Sequence, residues 1–270
     1  MFEQMIAFFV SWFYYPNILW TQLLIGTGLA IVFGAVWFTP YWTPILKKPW
    51  AWTVLAGSAI LALVAVVFIQ IPLQVWTGQA LNHFWSQETI MRWLLLAGIP
   101  TVLLSGLVQE GSKLVPVVVY WWRKGRNIDP KLGLAIGAVA GLGLGVFEAV
   151  WAHNTIFVAG WSWEAVQTQS LVALAPFWER FFTVGFHIAV SALAGYGLAK
   201  GWGWQFYLLA AFLHAFLNYS AVLVRSGLMT GIQVEIFVAI WSLLVTAGVL
   251  WLRWRKPIVE SEGISAVEQP

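Results

Sequence analysis

The chain has 270 residues, of which 60% are hydrophobic and 9% charged, against about a quarter charged in an ordinary soluble domain. So few charges cannot coat a water-facing surface, which excludes a soluble enzyme, a disordered chain and a nucleic-acid-binding domain; the net charge of +3 belongs to membrane topology, not to a polyanionic partner. The chain has no cysteine, so disulfides, thiolate nucleophiles and Cys-ligated zinc are excluded as well.

In chain order, Met1–Tyr15 is short and aromatic, without a basic n-region or a small-residue cleavage site, so no cleaved signal is expected. It reads as an interfacial helix occupying residues 1–17, with an eighth span as the alternative. A spanning helix needs about 20 apolar residues, and seven segments qualify: Ile18–Phe38, Trp52–Ile71, Met91–Trp122, Leu132–Val150, Leu171–Ala199, Trp204–Val224 and Ile232–Trp251. The third is too long for a straight crossing, so a tilt or a kink is expected near Pro100 or Pro116. The expected fold is an all-α polytopic bundle forming one integral membrane domain over residues 1–256, followed by a polar, disordered cytoplasmic tail over 257–270.

Charge sets the orientation. Lys47 and Lys48 follow the first span, Arg123, Lys124, Arg126 and Lys131 the third, Lys200 the fifth, and Arg253, Arg255 and Lys256 the seventh. The alternate loops carry little beyond Arg92 and Arg225. The positive-inside rule then puts the N-terminus outside and the C-terminus in the cytoplasm.

Ionisable groups within spans are costly and mark a functional interior. Here they are Glu110, Lys113, Glu148, Glu179, Arg180, His187 and His214, with Asn218 as a polar neighbour. Glu110 and Lys113 are three apart and share a helix face, as an ion pair or as a carboxylate tuned by an ammonium. Gly133, Gly137, Gly141 and Gly145 form a small-residue ridge that leads to Glu148. Arg180, His187 and Ser191 lie on one face of the fifth span, and His214 and Asn218 one turn apart on the sixth. Glu179 reads as a partner for a neighbouring charge, His83 and His153 as solvated loop residues, and Trp161, Trp163 and Trp178 as interface anchors. Groups from four spans thus converge. Two imidazoles and one or two carboxylates can ligate zinc or a similar divalent ion, or hold a water without metal. Without a His-Glu-x-x-His motif this is no ordinary zincin.

The order of these motifs resembles a known family. Gln109-Glu110-Gly111-Ser112-Lys113, the Gly-rich helix ending in Glu148, Arg180 with His187 and Gly195-Tyr196-Gly197, and His214 with Asn218 are similar to the PrsW intramembrane proteases, relatives of the CAAX prenyl endopeptidases. The resemblance runs from about Leu104 to Tyr219. It implies a catalytic core over residues 104–222 and an endopeptidase that cuts a membrane protein, such as a single-span anti-sigma factor, within or next to a prokaryotic cell membrane. It implies catalytic roles for Glu110, Glu148, His187 and His214 and support from Gln109, Lys113, Arg180 and Asn218; the metal set that the converging residues offer is His187, His214, Glu148 and Glu110, with a metal-free water as the alternative. Two residues depart from the family pattern. Gln109 stands where the family has the first Glu of Glu-Glu-x-x-Lys, and Leu144 stands for the Phe of Phe-x-x-x-Glu. Because Gln cannot take a proton from water, a non-catalytic relative that scaffolds a membrane partner is the second reading. A small transporter or proton relay is the third.

Overall fold

A computed structural model describes residues 2–41 and 44–255. The described residues contain no strand, and seven helical segments among them are long and apolar enough to cross a bilayer. The N-terminal helix α1 (Phe2–Val10) has nine residues, a length of about 14 Å; it cannot span and adds no eighth crossing. Its Met5, with Trp12, packs on Leu63 and Val67. The expected tail over residues 257–270 lies outside the described residues.

The spans are longer and more broken than hydropathy indicates. The first is α2 (Trp20–Phe38). The second is one rod of three parts: α3 (Pro49–Ala65), a π-helical turn over Val66–Gln70, and α4 (Ile71–Phe84). The third is preceded by α5 (Gln87–Arg92) and interrupted by Trp93 and Gly98 around α6 (Leu94–Ala97) before α7 (Ile99–Arg123) begins. The interruption therefore falls just before Pro100, whose missing N–H costs nothing in the first helical turn. Pro116 sits inside a continuous α7, its ring facing Gly57, where a Cβ would approach to 3.3 Å.

Asp129 caps α8 (Pro130–Val158), accepting from the backbone N–H of Lys131 at 2.8 Å and of Leu132 at 3.2 Å. The fifth span comprises α9 (Trp163–Gln169), a 3₁₀ turn, and α10 (Ala175–Ala199). The sixth breaks at Tyr219 into α11 (Gly203–Asn218) and α12 (Ser220–Arg225). The seventh, α13 (Gly231–Trp254), opens on a capping box between Thr230 and Gln233.

The α8 and α10 spans form the centre, 72% and 89% buried against 22–44% for the others. The glycine ridge explains why they can. A Cβ on Gly137 would lie 2.1 Å from Ser191 O, and one on Gly141 2.2 Å from His187 O. The ridge thus serves packing within the chain, drawing α8 against the backbone of α10. Gly106 does the same between α7 and α11, where a Cβ would meet Ala211 O at 2.1 Å.

Candidate active site

Those two close approaches set the spacing of the charged side chains. Gly106 brings α7 to α11, and Glu110 Oε1 lies 2.6 Å from His214 Nδ1. Gly141 brings α8 to α10, and Glu148 Oε2 lies 2.8 Å from His187 Nε2. Lys113 joins the two halves, with Nζ 2.6 Å from Glu110 Oε1 and 3.1 Å from His187 Nδ1. Ser191 Oγ donates to Glu110 Oε2 at 3.4 Å. Arg180 Nη1 is 3.5 Å from Glu148 Oε1, and its Nη2 pairs with Glu179.

These contacts fix the proton positions. A lysine ammonium only donates, so His187 Nδ1 accepts and its Nε2–H donates to Glu148. A carboxylate only accepts, so His214 Nδ1–H donates to Glu110, and a neutral His214 ring carries its lone pair on Nε2. Each imidazole therefore offers an N–H to a glutamate, His187 through Nε2 and His214 through Nδ1.

A cavity of about 100 Å³ opens beside this network, lined by Gln109, Glu148, Arg180, His187, His214 and Asn218 among others. It has room for several ordered waters. Glu110 and Lys113, both fully buried, do not line it; they stand behind the two histidines. Every ionisable group expected at membrane depth thus joins one connected cluster, and Gln109 and Asn218 meet it at the cavity wall. Asn218 Nδ2 donates to Ser105 Oγ at 2.9 Å, and Gln109 Nε2 to Gln70 Oε1 at 3.1 Å.

Three residues of this region escape a sequence reading. Gln70 and Ser105 are uncharged partners visible only in three dimensions. Glu235, beside the lining residues Val234 and Val238 of α13, has one buried oxygen without a partner among the described residues. Its signal was present, as a carboxylate in the first turns of a span. His153, expected in a solvated loop, is fully buried inside α8, because that helix runs on to Val158.

The donor set suits a divalent cation. Glu110, His187 and His214 are buried, and their ligand atoms lie within 4.8 Å of one another, donor types that can hold a zinc-like ion. Lys113 touches two of the three, so an ammonium and a metal ion compete for the same lone pairs.

The sequence model described as PrsW family intramembrane metalloprotease matches residues 48–246, from the start of α3 into α13. That range takes in every side chain of the cluster. Neither a curated protein nor a solved structure matches the chain. With a buried carboxylate–histidine cluster inside seven apolar helices and a family match over well more than half its length, the chain belongs to the PrsW family of intramembrane metalloproteases, multi-pass membrane proteins that hydrolyse peptide bonds.

Proposed function

We propose that the cavity beside Glu148 and His214 is where the peptide bond is cut, and that residues 104–222 form the catalytic core. The observation that carries this is the pair of histidine–glutamate contacts beside the cavity, His187 Nε2 to Glu148 and His214 Nδ1 to Glu110. Glu148 and His214 line the same cavity, and a neutral His214 offers Nε2 as a second acceptor beside the Glu148 carboxylate. A water that donates one hydrogen to each keeps an oxygen lone pair for the scissile carbonyl.

Glu148 takes the water's proton as the oxygen attacks. His187 Nε2–H and the Arg180 guanidinium hold that carboxylate in place. Glu110 acts through His214, fixing its tautomer. Lys113 acts through Glu110 and His187. The Asn218 amide and Arg180 supply N–H donors for the developing oxyanion. Gln109 cannot serve as a base and positions rather than reacts. When held by Glu110, His187 and His214, with Glu148 beside them, a divalent ion such as zinc supplies a Lewis acid.

The cavity is small beside the ~300–1,000 Å³ of an ordinary ligand site. The bundle therefore opens to admit a substrate segment, which unwinds locally because helical amides are shielded. The substrate is a single-span membrane protein of the anti-sigma-factor kind. The alternation of basic loops supports an N-terminus outside and a C-terminus in the cytoplasm, the family supports a prokaryotic cell membrane as its home, and residues 1–17 lie at the interface with 257–270 as a polar tail.

The test uses cells carrying a cleavable single-span reporter. Glu148→Gln and His187→Ala are expected to abolish cleavage while the protein still accumulates in the membrane. Full cleavage by both variants overturns the assignment. Metal content of the protein purified without chelator is expected near one divalent ion per chain, and to fall in His187→Ala and His214→Ala.

A further inference from the structure

One buried polar side chain outside the charged cluster reaches the cavity wall. Gln70 closes the π turn over Val66–Gln70, in which the Ile71 N–H bonds five residues back to Val66 O. A π turn inserts one residue into the helix and rotates the side chains beyond it; such turns are frequent at functional sites. Here Val67 packs into the apolar cluster with Leu63, and Gln70, only 8% exposed, faces α7. Pro72 comes at once and has no N–H to restore the α-helical register. One turn further on, Gln74 Nε2 donates to Thr101 O at 3.0 Å. Two glutamines four residues apart thus tie this rod to α7, and the inner one holds Gln109.

A primary amide has two N–H groups and one carbonyl oxygen. Gln70 Oε1 takes one N–H of Gln109. One N–H and the carbonyl of Gln109 remain, on a side chain that lines the cavity. A donor and an acceptor side by side complement the main chain of an extended peptide. A transmembrane segment that unwinds for hydrolysis loses its own main-chain hydrogen bonds, and each group left unpaired in the apolar phase costs several kcal/mol. A glutamate at 109 would accept but never donate.

We propose that Gln70 is a positioning residue: it holds the Gln109 amide at the cavity wall, where Gln109 hydrogen-bonds the main chain of the unwound substrate segment. This rests on the hydrolytic reading of the cavity.

Two measurements test it on the full-length protein in detergent. In the first, side-chain amides are labelled with ¹⁵N and the Gln109 resonance is assigned by its loss in Gln109→Leu. Gln70→Met keeps the side-chain length but removes the acceptor and is expected to shift that resonance. Gln70→Glu keeps an acceptor and is expected to leave it in place. In the second, a quenched-fluorescent single-span peptide with a central Gly-Pro pair is the substrate. Gln70→Met is expected to raise KM about tenfold, the equivalent of one hydrogen bond, with kcat changed much less. Gln70→Glu is expected to recover most of that loss. An unmoved resonance in Gln70→Met overturns the positioning role. A moved resonance with unchanged KM overturns the contact to substrate. Glu148→Gln is run in parallel: persistent cleavage by that variant overturns the hydrolytic reading, while the resonance still decides the role of Gln70.

Discussion

Two buried histidines in this chain have opposite surroundings. His187 has both ring nitrogens bonded to charged groups, Lys113 on one side and Glu148 on the other, and it borders a polar cavity. His153 is more deeply buried, yet its Nδ1–H meets only the carbonyl of Gly26 at 2.9 Å, and Nε2 has no partner among the described residues. Its ring is boxed by Phe33 and Phe177, with centroids 5.4 and 5.2 Å away. A Cβ on Gly26 would lie 3.1 Å from His153 Cβ, so the imidazole sits where α2 and α8 touch. Burial alone therefore does not make a histidine chemical. The difference lies in whether the ring joins a charged network with access to water. His153 serves as a neutral helix-to-helix hydrogen bonder, and His187 as one link between two carboxylates and an ammonium.

The comparison is broken most directly at Glu148. Glu148→Gln keeps the shape of the side chain and removes the proposed base, and kcat is expected to fall by about 10²–10⁴ with little change in the unfolding temperature. A comparable loss in a His153 variant would erase the distinction. Next comes Lys113. Lys113→Met leaves Glu110 as a buried carboxylate without its ammonium, and removing one partner of a buried pair costs about 3–5 kcal/mol. Thermal unfolding in detergent is expected to show that loss, and added zinc to recover part of it through the same donors. The double variant Glu110→Gln/Lys113→Met is expected to be more stable than Lys113→Met, since no unpaired charge remains. A smaller effect is expected at the ridge. Gly141→Ala places a methyl against His187 O, and overpacking of this kind costs about 1–3 kcal/mol. Because it pushes on the residue that holds Glu148, activity is expected to fall with stability. Gly28→Ala, where a Cβ meets nothing within 4 Å, is the matched control and is expected to be neutral or slightly stabilising.

Much of this was legible without coordinates. Seven apolar stretches gave the spans, and the rarity of charges within them singled out Glu110, Lys113, Glu148, Arg180, His187 and His214 as one group. The four-residue glycine spacing announced a close helix contact, though not that α10 was its partner. The helix ends were less legible, because hydropathy fades where polar residues begin while the helical backbone continues; the Trp151-Ala152-His153-Asn154 stretch looked like a loop for that reason. Nor could spacing separate the residues that line the cavity from those behind it. Glu110 and Glu148 look equivalent in the sequence, yet Gly106 and Gly141 place one behind His214 and the other at the cavity. Gln70 was beyond reach: an uncharged residue carries no cost signal in a span, and its direction depends on a π turn that no local pattern announces.

The mildest test returns to His153. His153→Phe replaces an imidazole with a ring of the same kind as its neighbours Phe33 and Phe177, so the box stays filled while the bond to Gly26 O is lost. A neutral hydrogen bond is worth about 1 kcal/mol net, and the same substitution also removes a buried, unpaired Nε2, whose desolvation opposes folding. The two contributions nearly cancel, and the unfolding temperature is expected to shift by no more than a few degrees in either direction. Cleavage is expected to stay within about tenfold of the parent, since a hydrogen bond's worth of strain at the α2–α8 contact is below the roughly 1.4 kcal/mol that a tenfold change requires. A large loss of cleavage with an unchanged unfolding temperature would show that His153 communicates with Glu148, five residues earlier on α8, and would place both histidines in the chemistry.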